Sequence, residues 1–255
     1  MTQALARVMA SARRVTEKTK YGLDDGSNCF MGALLKVGNH AVTTMPLQAG
    51  ETYLFLGGGD DDTKDVDLYL EDANGKIVAR DVEKDAVPVV EFTPKETGKY
   101  RVALKLAESS SKSSFCAFAT LRAGGFDVPA QNLETSASRL MRLCRAIAEK
   151  TGGAGFLDTE GEWALVGTIL KQGESLTQSG IDLPAGKHAF SAVGDTQAQD
   201  IDLALLAENK QLAEDTEDDP TPILLYEGSG IVNLKISNTK SSGPSLTLAA
   251  VLNTK

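Results

Sequence analysis

Two kinds of hydrophobic pattern alternate along the chain. Apolar residues recur at helical spacing at Leu5, Val8, Met9, Ala12 and Val15, and again at Leu140, Leu143, Cys144 and Ile147. After each of these segments the apolar runs become short, alternate with polar residues and are separated by Gly, Pro, Asn and Asp. The pattern therefore predicts two α-helices, each followed by a series of β-strands.

In the first half we expect strands near 30–37, 52–56, 66–71, 77–80, 87–92, 99–107 and 115–121. Asn74-Gly75 separates two of these runs and is typical of a tight hairpin, because both residues tolerate positive φ. Short strands at this density favour an antiparallel sandwich over an α/β sheet. The glycine-rich segment Gly152–Phe156 (GGAGF) follows a helix instead of a strand, so we predict a helix end and a linker rather than a dinucleotide-binding turn.

The two halves of the chain are copies of one unit. Asp65–Leu70 (DVDLYL) is similar to Asp200–Leu205 (DIDLAL), and Gly32–Gly38 (GALLKVG) is similar to Gly167–Gly173 (GTILKQG). Further matches in the same order are Arg7–Thr19 with Arg139–Thr151, Val87–Phe92 with Thr221–Tyr226, and Leu104–Leu106 with Leu234–Ile236. We therefore expect two domains, 1–124 and 125–255, each a helix followed by an antiparallel β-sandwich.

The first copy resembles the bacterial pre-peptidase C-terminal domain family. The segments that carry the resemblance are Ala49–Phe55 (AGETYLF), Asp65–Leu70, Asp72–Lys76 (DANGK), Phe92–Pro94 and Gly98–Val102 (GKYRV). The resemblance covers 33–122 well and 168–253 more loosely, because Ala204 replaces Tyr69, Lys210 replaces Gly75, and Gly230–Val232 replaces the last motif. Both helices fall outside it.

This resemblance implies jelly-roll-like β-sandwiches that act as noncatalytic accessory modules of exported bacterial proteins. Some members of the family bind calcium or polymeric substrates. The chain start has arginines within its apolar pattern and is not an intact signal peptide. We therefore expect a periplasmic or secreted protein if a leader was removed, and a cytoplasmic one otherwise.

The charge balance narrows the classes of partner. The net charge of −9 argues against nucleic acid, which requires a basic face. The segment Met1–Lys20 is nevertheless basic, and the first helix combines an apolar with a basic face. We expect each helix to cover its own sandwich; the alternatives are docking of the first helix on the other unit or self-association through it. No apolar run is long enough for a membrane-spanning helix.

The acidic stretch Gly57–Asp72 raises the question of a metal site. Its carboxylates that recur in the second copy give six candidate ligands: Asp60, Asp65, Asp67, Asp195, Asp200 and Asp202. Three carboxylates per copy are too few for Ca²⁺ unless other loops contribute, and EF-hand spacing is absent. The alternative is a hydrogen-bonding turn in which an Asp at the strand start caps backbone amides, with Val66, Leu68 and Leu70 facing the core. The acidic run 214–219 corresponds to 80–85, and there we expect a solvated loop.

Other candidate residues give weaker indications. His40 matches Ser175 and His188 matches Thr52, so we interpret both histidines as surface residues outside the repeated framework. Cys29 and Cys116 lie in the first and last predicted strands of the first copy, where a disulfide and two buried thiols remain alternatives. Cys144 and Trp163 are expected to be packing residues.

We find no nucleophile elbow, zinc-binding histidine pair or phosphate loop, and therefore predict no catalytic residues and no certain cofactor. The sequence favours a noncatalytic exported accessory module that binds a protein or a polymer such as a polysaccharide, or that serves assembly. Two alternatives remain: a calcium-stabilised structural repeat protein, and a hydrolase with carboxylates in an interdomain cleft.

Overall fold

The computed structural model describes residues 2–208 and 210–255 and is mainly β. The chain divides into two compact units, Met1–Val128 (unit 1) and Pro129–Lys255 (unit 2). Each unit is an antiparallel β-sandwich with one N-terminal α-helix, so the predicted fold class is confirmed.

Unit 1 begins with helix α1 (Thr2–Thr16). Its strands are β1 (Tyr21–Leu23), β2 (Asn28–Lys36), β3 (His40–Leu47), β4 (Tyr53–Gly59), β5 (Thr63–Glu71), β6 (Ile77–Asp81), β7 (Val89–Phe92), β8 (Gly98–Ser109) and β9 (Ser113–Ala123). One sheet has the order β2-β9-β4-β7, with β1 also paired to β9, and the other has the order β3-β8-β5-β6.

Unit 2 begins with helix α2 (Ala130–Thr151). Its strands are β10 (Ala154–Phe156), β11 (Leu165–Leu170), β12 (Ser175–Gly194), β13 (Ala198–Ala207), β14 (Lys210–Asp215), β15 (Ile223–Ser241) and β16 (Ser245–Thr254). The pairing order is β14-β13-β15-β12-β16-β11, and β10 pairs with β16.

The two units differ at one corner of the sandwich. In unit 2 the long strands β12 and β15 pair along their lengths, and two register shifts let them bend. In unit 1 the same path is interrupted on both strands, because residues 48–52 separate β3 from β4 and residues 93–97 separate β7 from β8. Unit 1 therefore carries two loops where unit 2 carries a continuous ribbon.

Each helix buries its apolar face against its own unit. Ala4, Leu5, Val8, Met9 and Ala12 are buried where α1 packs on β4 and β9. Helix α2 packs on β16 and β12 and ends at Gly152, whose φ of 75° lies in the left-handed region that glycine adopts without strain. The expectation that each helix covers its own sandwich is confirmed.

Several sequence-based expectations need correction. Strands β1 and β3 were not predicted; β3 contains Thr43, Thr44 and Pro46, which weaken its apolar pattern, and Pro46 is tolerated because β3 is an edge strand. The predicted linker after α2 includes strand β10, which is only three residues long.

The ladders also correct two details of the internal repeat. Asp67 and Asp202 are equivalent positions of the repeat. Lys105 lies opposite Asp67 and Ser237 lies opposite Asp202, so Lys105 and Ser237 are also equivalent. The segment Leu104–Leu106 therefore corresponds to 236–238 and not to 234–236. Tyr53 pairs with Arg122 in β9, and His188 pairs with Asn253, which is the equivalent position in β16. The counterpart of His188 is therefore Tyr53 and not Thr52.

All three cysteines are buried free thiols. Cys116 lies opposite Ala33 in the β2–β9 ladder, four positions along β2 from Cys29, a separation of roughly 13 Å that is too long for a disulfide. Burial raises the pKa of Cys116 to about 12 and that of Cys144 to about 11, and it raises the pKa of Cys29 well above its ordinary value. The thiols therefore remain protonated at neutral and mildly alkaline pH.

We expect the native protein at pH 8 to react with Ellman's reagent much more slowly than free cysteine. The buried cysteines are protonated at this pH, and the reagent cannot reach their sulfur atoms. In denaturant without reductant, all three cysteines should react. Rapid labelling of the native protein, or recovery of a single thiol after unfolding, would contradict the buried-thiol assignment.

Candidate functional site

The acidic residue at the start of the repeated turn has the same structural role in both units. Asp60 accepts hydrogen bonds from the amides of Asp62 and Phe115, at 3.3 and 3.1 Å. Asp195 accepts them from Gln197 and Leu246, at 2.9 and 3.2 Å. A carboxylate at this position caps its own turn and holds the start of the last strand. The interpretation of a hydrogen-bonding turn is confirmed for both residues.

An arginine from each helix binds the same turn. Arg7 donates from Nη1 to the carbonyl oxygens of Gly59 and Asp60, at 2.7 and 2.8 Å. Arg139 donates from Nη1 to those of Gly194 and Asp195, at 2.9 and 2.8 Å. The helix, the end of β4 or β12, and the following turn are thus joined by one guanidinium group in each unit. We call this contact the arginine clamp.

A glycine is required immediately before the acidic residue. A Cβ on Gly59 would overlap the Thr63 side chain, and a Cβ on Gly194 would overlap that of Ala198. The turn brings the following strand too close for any side chain at this position. The repeated Gly-Asp pair is therefore explained by packing and backbone hydrogen bonding.

The second repeated carboxylate lies at a bulge. The pairing of β5 with β8 shifts register at Asp65, and that of β13 with β15 shifts at Asp200. One carboxylate oxygen of each residue is buried and finds no hydrogen-bond partner among the described residues. Burial, followed by the charge of the neighbouring Asp67 or Asp202, raises the pKa of both carboxyl groups above the ordinary value.

The third repeated carboxylate differs between the units. Asp67 is nearly buried and contacts Nζ of Lys105 at 3.2 Å and the hydroxyl of Tyr69 at 2.9 Å. Asp202 faces Ser237 and has no lysine opposite it. Within residues 2–208 and 210–255, no three His, Cys, Asp or Glu side chains are grouped as a metal site would require. The calcium hypothesis for Asp60, Asp65, Asp67, Asp195, Asp200 and Asp202 stays a prediction.

The second acidic run is also structural. Asp81 accepts hydrogen bonds from the amides of Glu83 and Val89, and Asp215 accepts them from those of Glu217 and Ile223. Each carboxylate thus closes its own turn and caps the amide at the start of the next strand segment. A solvated loop was expected here, and most of the run is exposed; in addition, its aspartates bind backbone amides.

The two histidines have different environments. His40 is exposed at the start of β3, as expected. His188 is only 2% exposed, which corrects the expectation of a surface residue. Its Nε2 lies 2.9 Å from the Pro184 carbonyl and its Nδ1 lies 3.1 Å from Oδ1 of Asn253. Both ring nitrogens thus face acceptor oxygens, and a neutral imidazole, which carries one N–H, donates to one of the two.

Unit 1 has a groove at the corner where the loop 93–97 lies. The groove has a volume of about 610 Å³ and is lined by residues from 72–78 and 92–100; we call it the corner groove. On one side, Oδ1 of Asp72 accepts hydrogen bonds from the amides of Asn74 and Lys76 and fixes the β5–β6 turn. The left-handed φ of 78° at Gly75 completes this turn, as the Asn-Gly pair indicates.

The other side of the corner groove is held by an aromatic pair. The rings of Phe92 and Tyr100 meet edge to face with centroids 5.5 Å apart, and the Tyr100 hydroxyl donates to the Glu96 carbonyl at 3.0 Å. Thr97 accepts a hydrogen bond from the Ala49 amide at 3.0 Å and so joins the loops 48–52 and 93–97. These contacts give the groove a preformed wall.

The lining of the corner groove combines apolar and polar groups. Ile77 is 43% exposed, and Phe92 is partly exposed beside it. Lys76, Lys95 and Lys99 are exposed at the groove, and none of them forms an ion pair with a described residue. The groove therefore offers an apolar surface bordered by hydrogen-bond donors. Reasoning from the sequence did not identify it.

Comparisons with known proteins give only weak likenesses. No family model matches the chain, and no curated protein matches it. The tandem CBM51 modules of a family 98 glycoside hydrolase from Streptococcus pneumoniae are 11% identical, with 88% of this chain and 83% of that chain covered and a TM-score of 0.27.

Two further solved structures are similarly distant. The M60 catalytic domain with CBM51-1 and CBM51-2 of Clostridium perfringens ZmpB is 10% identical, with 93% of this chain and 37% of that chain covered and a TM-score of 0.28. The CUB1-EGF-CUB2 fragment of human MASP-1/3 is 7% identical, with 88% of this chain and 100% of that chain covered and a TM-score of 0.21. TM-scores this low support no functional argument.

Replacing Asp195 with Ala should destabilise the protein by about 3 kcal/mol, because the buried amides of Leu246 and Asn132 lose their acceptor. Urea unfolding measures the change. Asp218→Ala is the matched control, since Asp218 is exposed, and it should change the free energy of unfolding by less than about 0.5 kcal/mol. Equal effects of the two substitutions would show that Asp195 does not hold the turn.

A thermal melt tests the calcium hypothesis directly. Because Asp60, Asp67 and Asp195 already bind protein groups, we expect the melting temperature to be the same, within about 1 °C, in millimolar Ca²⁺ and in EDTA. A saturable calcium-dependent rise that Asp200→Asn removes would instead establish a calcium site.

Proposed function

We propose that the protein is a noncatalytic exported binding module that holds a segment of polysaccharide in the corner groove of unit 1. The observation that carries this proposal is the groove itself, a preformed concavity where apolar and polar side chains converge. It is built from a loop that unit 2 replaces with the continuous strand β15.

The composition of the corner groove suits a sugar chain. A pyranose ring presents an apolar C–H face and a perimeter of hydroxyl groups, so its site needs an apolar surface with hydrogen-bonding groups around it. Ile77 and the partly exposed ring of Phe92 supply the apolar surface, while Asn74 and the lysines supply donors.

The environments of the residues that could support catalysis favour a noncatalytic role. The ring of His188 is buried between the oxygens of Pro184 and Asn253, Asp60 and Asp195 bind backbone amides, and Asp67 pairs with Lys105. A hydrolytic mechanism would require a pair of carboxyl groups facing one cleft. The corner groove contains Asp72 and Glu96, and Asp72 binds its own turn.

The resemblance of 33–122 to pre-peptidase C-terminal domains supports the exported accessory role. Among the described residues, no helix has the length and apolar character needed to cross a membrane. Binding through a protein partner, instead of a polysaccharide, is the alternative that the binding experiment separates.

Affinity electrophoresis in gels containing soluble polysaccharides tests the proposal. We expect at least one polysaccharide to retard the wild-type protein, and Ile77→Ser to weaken its binding about tenfold or more because the apolar surface is lost. Ile231→Ser in unit 2 is the matched control: Ile231 is 68% exposed and lies outside the groove, so binding should not change.

Melting temperatures of both variants should stay close to that of the wild type, since both side chains are exposed. Retention of full affinity by Ile77→Ser, or absence of retardation by any polysaccharide alongside capture of a protein, would contradict the proposed ligand class.

A further inference from the structure

A second concave surface lies in unit 2, between α2 and the loop before β15. It is a shallow pocket of about 440 Å³, lined by Arg139, Arg142, Leu143, Ala146, Pro220 and Thr221. The pocket thus has two positively charged guanidinium groups, although the protein has a net charge of −9. Neither arginine forms an ion pair with any described carboxylate.

The corresponding arginine of unit 1 shows what this group can bind. Arg7 uses Nη1 for the arginine clamp and Nη2 for the carboxylate of Asp61, at 2.5 Å. Gln3 also donates a hydrogen bond to this carboxylate. In unit 1 the guanidinium group is thus occupied on both sides, by backbone carbonyls and by an anion from the same chain.

Unit 2 keeps the clamp but lacks that carboxylate. Arg139 uses Nη1 for the carbonyls of Gly194 and Asp195, as Arg7 does. The residue corresponding to Asp61 is Thr196, whose hydroxyl donates to Oδ1 of Asn132 at 3.0 Å. A guanidinium group held in a fixed orientation therefore keeps donors that no anion of its own unit satisfies.

The nearby acidic groups do not take this role. The carboxylate of Asp195 is buried and accepts hydrogen bonds from Asn132 and Ser245. Asp219, next to the pocket, uses Oδ1 for the amide and hydroxyl of Thr221, at 2.6 and 3.0 Å. The lining itself contains two arginines and no acidic residue.

We propose that this pocket binds an anionic oxygen group, a carboxylate, sulfate or phosphate, through Arg139 and Arg142. Asp61 in unit 1 is the internal example of the interaction. A planar guanidinium group matches two oxygens of such an anion, and the second arginine supplies further donors and charge. Leu143, Ala146 and Pro220 form an apolar border for the molecule that carries the anion. The site is independent of the corner groove.

Calorimetric titration with sodium sulfate and with sodium acetate, at constant ionic strength maintained with sodium chloride, tests the proposal. We expect saturable binding to the wild type and at least a fivefold loss of affinity in Arg142→Ala. Arg145→Ala is the matched control, because Arg145 is an exposed arginine of the same helix outside the pocket, and its affinity should stay within twofold of the wild type.

Thr196→Asp provides a second, independent test. It places in unit 2 the carboxylate that Arg7 binds in unit 1, and we expect it to abolish anion binding while the protein stays folded. A sulfated or carboxylated oligosaccharide that binds at least tenfold more tightly than the free ion would identify a carrier chain, whereas equal affinity would identify the free ion. Non-saturable binding, equal losses in Arg142→Ala and Arg145→Ala, or full affinity in folded Thr196→Asp would overturn the proposal.

Discussion

The arginine clamp is the contact on which the architecture of each unit depends. A helix packed on a sheet by apolar side chains alone can slide or rotate, because the hydrophobic effect has no preferred direction. The guanidinium group of Arg7 or Arg139 removes that freedom by binding two consecutive carbonyl oxygens at a strand end. The same turn then presents its aspartate to the last strand, so one short segment orients helix, turn and sheet together.

Several aspartates of this protein bind its own backbone in tight turns. Asp60, Asp81 and their counterparts Asp195 and Asp215 accept amide hydrogen bonds in tight turns. Hydrogen bonds to a charged acceptor are stronger than those between neutral groups, and they allow the turns to expose few unsatisfied amides. A chain rich in aspartate can therefore be acidic for reasons of loop structure, with no metal or cationic ligand implied.

The repeated unit, the helices and the core face of β5 could be predicted from periodicity, because Val66, Leu68 and Leu70 alternate with polar residues and are fully buried. The strand β3 could not, since its edge position tolerates threonines and a proline. The burial of His188 could not be predicted either, because its ring contacts Pro184 across the bend of β12 and Asn253 in strand β16. One feature of the sequence indicates the corner groove: unit 1 has extra residues between Phe92 and Leu104 relative to unit 2.

The corner of the sandwich is held by a different hydrogen bond in each unit. In unit 1 the Tyr53 hydroxyl accepts a hydrogen bond from the Gln48 amide at 3.1 Å, whereas in unit 2 His188 meets the carbonyl of Pro184. Proline has no amide hydrogen, so the bend of unit 2 offers only an acceptor at that residue and needs a donor side chain. The two copies have thus diverged by changing a side chain together with the backbone group it binds.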